Sequence, residues 1–239
     1  MNFATLGVVP ILWSASERES SRTAAPASLP LGRTSTVKLY YSPGSCSLAP
    51  HIVARELGIE LELVKVDLAT KRLENGDDFL LVNPKGSVPA LALDSGELLT
   101  ETAVILTYLS DLRPDAEMTN TSGFDRYRLH ESLNFVATEL HKTIGLLFNP
   151  QMQQQSKDAI LAILTKKLDF LNAKLERSDY LVGSYSIADA YAFTVLSWTK
   201  FLKIELAPWP HVRNYRARIR DRPRVQAALA AEGLLAGAA

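Results

Sequence analysis

The chain has 239 residues and a single cysteine, Cys46. One thiol excludes an internal disulfide framework and a zinc site of the multi-cysteine kind. It also excludes a two-cysteine redox centre, because the position three residues on is Ala49 and no second cysteine exists to resolve an intermediate. Excess charge is missing too. The 26 basic residues balance 26 acidic ones, so no global field draws the chain to nucleic acid or to an anionic membrane. No apolar run approaches the roughly 20 residues of a membrane-spanning helix. With 47% hydrophobic and 22% charged residues, there is enough for a packed core, in one large domain or two small ones.

Residues 1–36 differ from the rest. The apolar run Val8 to Trp13 has no Lys or Arg ahead of it, which makes a poor secretory signal despite the permissive Ser14-Ala15-Ser16. Ser, Ala, Pro and Arg dominate from Glu17 to Thr36, the composition of a disordered segment. The expectation is a disordered or non-native extension, with the folded chain beginning at Val37.

Cys46 lies at a seam. The β-prone run Val37 to Tyr41 stops at Ser42-Pro43-Gly44, and a helical pattern with Ala49, Ile52, Val53 and Leu57 follows. A thiol at a helix start faces unpaired N–H groups and the positive dipole end, which favour the thiolate. The expectation from position alone is a lowered Cys46 pKa, with a buried structural cysteine as the alternative. If the thiol reacts with disulfides or electrophiles, its partner thiol comes from solution or a bound cofactor, and glutathione is the abundant small candidate.

The strand-like runs continue with Leu61–Val66, then a polar, loop-like stretch Lys71–Gly76. A hairpin follows from Val88–Leu93 to Glu97–Leu99 around Asp94-Ser95-Gly96. Thr100-Glu101-Thr102 opens a helix that Arg113-Pro114-Asp115 stops. This order predicts a mixed four-stranded sheet with helices, complete by about residue 112. Strand signals vanish from Ser122 onward. Helical patterns run over 123–148 and 156–177, and a third opens at Ser186-Ile187-Ala188-Asp189, close to a capping box. From Ile187 to Trp198 that helix is apolar nearly all round, as a buried core helix should be. The expected division is an α/β domain over 37–112, a linker over 113–121 and an all-helical domain over 122–239.

Several motifs in the same order resemble the glutathione transferases, and specifically the bacterial beta class. They are the Lys38–Pro50 run, Lys71-Arg72-Leu73-Glu74-Asn75-Gly76, and Val82-Asn83-Pro84-Lys85-Gly86-Ser87-Val88-Pro89-Ala90-Leu91. Leu99-Thr100-Glu101-Thr102, Ala137-Thr138-Glu139-Leu140-His141-Lys142 and Ser186-Ile187-Ala188-Asp189-Ala190-Tyr191 complete the set. The resemblance spans Val37 to about Leu234. Since the family begins one residue before Lys38, Val37 marks a candidate initiator position, and residues 1–36 are expected to be absent from the native protein.

The resemblance implies a thioredoxin-like N-terminal domain followed by an all-α C-terminal domain, in a homodimer that uses glutathione as co-substrate. It makes Cys46 and His141 the candidate catalytic residues. Val88-Pro89 resembles the cis-proline of the fold, where the Val88 backbone meets the cysteinyl part of glutathione. The start of the helix at Glu101-Thr102 can hold the γ-glutamyl carboxylate, Glu101 can pair with the α-amino group, and Lys71 can meet the glycine carboxylate. Asn134 is also expected among the glutathione-binding residues, since on a regular helix Asn134, Thr138 and His141 form one stripe, looking toward Cys46. A histidine there can hydrogen-bond a sulfur or shuttle a proton. Tyr41, Ser42 and Ser45 leave an auxiliary hydroxyl donor open, and His51, His130 and His211 are taken as structural.

The reading that follows is a cytoplasmic glutathione transferase acting on hydrophobic electrophiles, with no metal, nucleic acid or membrane partner. Two alternatives stay open. One is a glutathione-dependent thiol-disulfide reductase or reductive dehalogenase that works through a Cys46 mixed disulfide. The other is a non-enzymatic ligand-binding module.

Overall fold

The computed structural model describes residues 37–118 and 123–235. The expected N-terminal extension therefore lies outside the described residues, as do positions 119–122 of the expected linker and its border.

Strand β1 (Val37–Tyr41) leads through a tight turn into α1 (Leu48–Glu56) and then β2 (Leu61–Asp67). The chain continues through β3 (Arg72–Leu73), a short 3₁₀ turn (Phe79–Leu81), β4 (Ala90–Ala92) and β5 (Leu98–Thr100) to α2 (Thr102–Asp111). The sheet order is β3-β2-β1-β4-β5. Only β1 and β2 run parallel, joined across α1. The other neighbours are antiparallel. Among the described residues five strands form where four were expected. The added one sits inside the stretch expected as loop, because Leu73 pairs with Val66 and packs beside it while the left-handed backbone at Lys71 turns the chain.

Period-two alternation sets the two faces of the sheet. Leu39 and Leu91, neighbours in register, are fully buried toward the main core with Ile52 and Ile105. Val66, Phe79, Val88 and Ala90 form a smaller cluster.

Beyond residue 118 every described element is helical apart from one isolated bridge. These are α3 (Gly123–Phe135), a wide π-turn (Val136–His141), α4 (Lys142–Leu146), α5 (Gln154–Leu175), α6 (Ile187–Phe201), α7 (Pro210–Arg220) and α8 (Pro223–Ala231). Twelve of the fifteen residues of α6 are buried, as its all-round apolarity predicted. It packs against α1, α2, α3, α4 and α7. Its start is fastened by Asp189, which accepts from Ser186 N (2.8 Å), Ser186 Oγ (2.6 Å), Leu181 N (2.9 Å) and Tyr215 Oη (2.8 Å). No helix among the described residues is long and apolar enough to cross a membrane.

Candidate active site

The turn after β1 carries Cys46, and both ends of its backbone are held by distant parts of the chain. Gly44, at φ 70°, donates its N–H to Glu232 Oε2 at 2.9 Å, and its carbonyl accepts from Trp198 Nε1 at 2.8 Å. A side chain here would bring strain from the left-handed backbone and contact with Leu234. Inside the turn Ser47 Oγ accepts from Ser42 N at 3.1 Å and lies 2.7 Å from Ser45 Oγ. These hydroxyls therefore hold the turn together. His51, taken as structural from the sequence, is buried and joined to Glu232 Oε1 at 2.8 Å through Nδ1. Arg55 Nε has only a proton to give and donates it to His51 Nε2 at 2.9 Å. Nδ1 is therefore the donor to Glu232.

Cys46 is unpaired and partly buried, and its Sγ donates to the Val88 carbonyl at 3.1 Å. The Val88–Pro89 bond is cis, as the resemblance implied. The expectation of a lowered thiol pKa is overturned: burial pushes Cys46 up to about 11. Hydrogen bonds from the Thr102 hydroxyl and from nearby backbone groups act in the opposite direction, and burial outweighs them.

Helix α2 brings its N-terminus to the same place. Its first helical bond runs from Ile105 N to Glu101 O at 3.0 Å, which leaves the N–H groups of the opening turn without helical acceptors. Glu101 caps it with φ 69°, a left-handed backbone on a residue other than glycine. Strain of this kind is concentrated at functional sites. The Glu101 carboxylate pairs with Lys85 Nζ at 2.8 Å, and the same ammonium reaches Thr100 Oγ1 at 3.0 Å. That bond from Lys85 holds the Glu101 carboxyl below its ordinary range. Thr102 is buried, with its hydroxyl at Cys46 and at Tyr191. Lys71 Nζ donates to Gly86 O at 2.8 Å, two residues before Val88.

His141 arrives from the helical half. Its Nδ1 lies 2.6 Å from Tyr191 Oη, and its ring stands edge-on to Trp198 with centroids 4.9 Å apart. Burial pushes the imidazole down to about 4, with Lys142 adding to the effect and Glu101 opposing it. Cys46 and Glu101 act in turn on Tyr191, whose phenol burial pushes up. Cys46, Glu101, Thr102, His141 and Tyr191 thus form one electrostatically connected cluster.

Asn134 is not part of that cluster. It is exposed on α3 and donates its side-chain amide to His130 O at 3.0 Å. The expected single stripe is broken by the π-turn, in which each turn takes about one residue more than in an α-helix. Asn134 and Thr138 stay linked, through Thr138 Oγ1 to Asn134 O at 2.9 Å. His141 turns instead to α6.

Sequence reasoning missed Lys85, Tyr191, Trp198 and Glu232. Lys85 and Tyr191 stand inside quoted motifs, but nothing in their spacing gives them partners. A cavity of about 370 Å³ between α3 and α5, lined by Arg128, Ser132, Phe135 and Phe170 among others, includes none of the cluster.

The family Glutathione S-transferase, N-terminal domain, matches residues 44–112, and Glutathione S-transferase, C-terminal domain, matches residues 135–223. Glutathione S-transferase GstA of Escherichia coli O157:H7 is 48% identical over 200 residues, covering 83% of this chain and 100% of that protein. A solved bacterial beta-class glutathione S-transferase of Sphingomonas chungbukensis aligns at TM-score 0.79 and 45% identity, over 82% of this chain and 99% of that one. A sphingomonad glutathione S-transferase complexed with glutathione aligns at TM-score 0.77 and 45% identity, over 82% and 99%. With both family domains in order and the same fold over nearly the whole described chain, the protein belongs to the glutathione S-transferase family, in its bacterial beta class.

Proposed function

We propose that this protein conjugates reduced glutathione to small hydrophobic electrophiles. The observation that carries this reading is the meeting, at one place, of the open N-terminus of α2, the Cys46 sulfur and the His141 imidazole. The donor set suits the tripeptide. Helix N–H groups and the Lys71 and Lys85 ammoniums fit its two carboxylates, and Glu101 fits its α-amino group. The Val88 backbone is the place for its cysteinyl amide. Cys46 now spends its proton on the Val88 carbonyl. When the cysteinyl N–H takes that carbonyl, the Cys46 S–H is released toward the bound sulfur. Neutral Cys46 and neutral His141 then both serve as hydrogen-bond donors that favour the glutathione thiolate.

The reaction forms a carbon–sulfur bond and expels the leaving group of the electrophile. A chlorodinitrobenzene tests it, with conjugate and chloride released together. The purified protein should turn it over with glutathione, and Cys46→Ala should keep most of that activity. Absence of turnover in protein shown to bind glutathione would favour the binding-module alternative. A second reading draws on Cys46 being a free thiol, on a residue only partly buried. If the protein is a reductase, oxidised glutathione should add one glutathionyl group to the intact mass, absent in Cys46→Ala.

The same reading includes a cytoplasmic location, where reduced glutathione is at hand, and a homodimer. The dimer is supported by the exposed aromatic residues Phe124, Tyr127 and Phe170 on α3 and α5, which are 67%, 68% and 57% exposed.

A further inference from the structure

The geometry points to Tyr191 as a positioning residue that fixes the His141 imidazole in the tautomer carrying its proton on Nε2, so that a hydrogen-bond donor is presented to the bound thiol. The inference rests on the transferase reading for its purpose, but its geometry stands apart from it. Tyr191 Oη and His141 Nδ1 are 2.6 Å apart, a short contact between two side chains that each have one proton to place. Two arrangements satisfy it. The phenol can donate to an unprotonated Nδ1, or a protonated Nδ1 can donate to the phenol oxygen.

Two considerations select the first. A phenol O–H is a far better donor than a neutral imidazole N–H, and an imidazole nitrogen is a better acceptor than a phenol oxygen. The imidazole is neutral near pH 7, because burial holds its pKa near 4, so one of its nitrogens has no proton. The Tyr191 phenol then donates to His141 Nδ1. Nε2 keeps the remaining proton and makes no hydrogen bond among the described residues.

Packing keeps the ring in that pose. Trp198 stands edge-on to it, and Tyr191 does so as well, with centroids 5.7 Å apart. The charged or titratable groups that act on the ring are Lys142 from its own helix, Glu101 from the start of α2 and Tyr191 from α6. A second-layer partner that sets which nitrogen is protonated is a general device for histidines in active sites. Tyr191 is buried at 2% exposure, so it meets substrate only through His141.

The test is nitrogen NMR on the full chain labelled in histidine, with the His141 signals assigned by their loss in His141→Gln. At neutral pH the wild type should show a protonated Nε2 and an unprotonated, hydrogen-bonded Nδ1. A protonated Nδ1, or two averaged nitrogens, overturns the proposal without any variant at Tyr191. Tyr191→Phe should then move the two shifts toward each other, and unchanged shifts would reject the role.

Kinetics gives the second arm. Tyr191→Phe should lower kcat/KM for conjugation about tenfold in the wild-type background and leave it unchanged in His141→Gln, whose amide donor has no tautomer to fix. Equal losses in both backgrounds would mean that Tyr191 acts through packing alone. A wild type with no conjugating activity would overturn the transferase reading, while the imidazole shifts would still decide this one.

Discussion

Cys46 sits just before the cap of α1, where the helix end should favour an anion, yet its proton goes to Val88 O and burial lifts its pKa to about 11. In the ligand-free protein its alkylation by iodoacetamide should therefore rise about tenfold per pH unit through pH 7 to 10 without levelling off. A plateau near pH 7 would show a thiolate and reject the hydrogen-bond-donor role. His141 shifts the other way. Its folded pKa, near 4, lies below the ordinary value of about 6.5 in the unfolded chain. The unfolded state thus binds the proton more readily between those values. The neutral ring's contribution is fully present above about pH 6.5 and is lost as pH falls toward 4, by at most about 3 kcal/mol. Urea midpoints measured down that range should fall more steeply for the wild type than for His141→Gln. Parallel curves would remove His141 from the acid response.

The elements were legible in proportion to how local their causes are. The seam at Cys46, the Asp94-Ser95-Gly96 hairpin and the start of α6 come from turn and cap chemistry within a few residues, and all three are present. Strand β3 is two residues long and exists through its pairing with β2, so no window of sequence announces it. The π-turn was hidden for a similar reason. The pattern over 123–148 is helical throughout, and the wider turn shows only in the bonding. The site shared this divide. Cys46, Val88, Glu101, Thr102 and His141 stand in motifs that assign them roles, whereas Lys85 and Tyr191 stand in motifs that give them no partner, and Trp198 and Glu232 stand outside the motifs. The fastening of α6 shows how much one local device can carry. Asp189 is fully buried and takes four hydrogen bonds. Asp189→Ala leaves those donors without an acceptor and should cost about 3 kcal/mol or more. Asp189→Asn, which retains an acceptor oxygen, should cost less. Denaturation midpoints that match the wild type would show the fastening to be dispensable.

For the whole molecule, α6 joins the sheet half to the helical half, since it packs on α1 and α2 as well as on α3, α4 and α7. If Phe124, Tyr127 and Phe170 mark a self-association face, the 239-residue chain should sediment at twice its monomer mass of 26.3 kDa. Tyr127→Glu together with Phe170→Glu should shift it toward the monomer while leaving its circular dichroism unchanged. A wild type that sediments as a monomer at micromolar concentration would remove the dimer from the reading. The hold on Gly44 has a further consequence, for synthesis. The Cys46 turn leaves the ribosome early, but its N–H partner is Glu232 and its C=O partner is Trp198. The sheet can begin to assemble while translation continues, but the turn stays without its clasp until the far end of the chain has been made. A nascent chain cut short before residue 232 would carry its one thiol on a turn that lacks the Glu232 hold on Gly44, a marker by which unfinished copies can be told from finished ones.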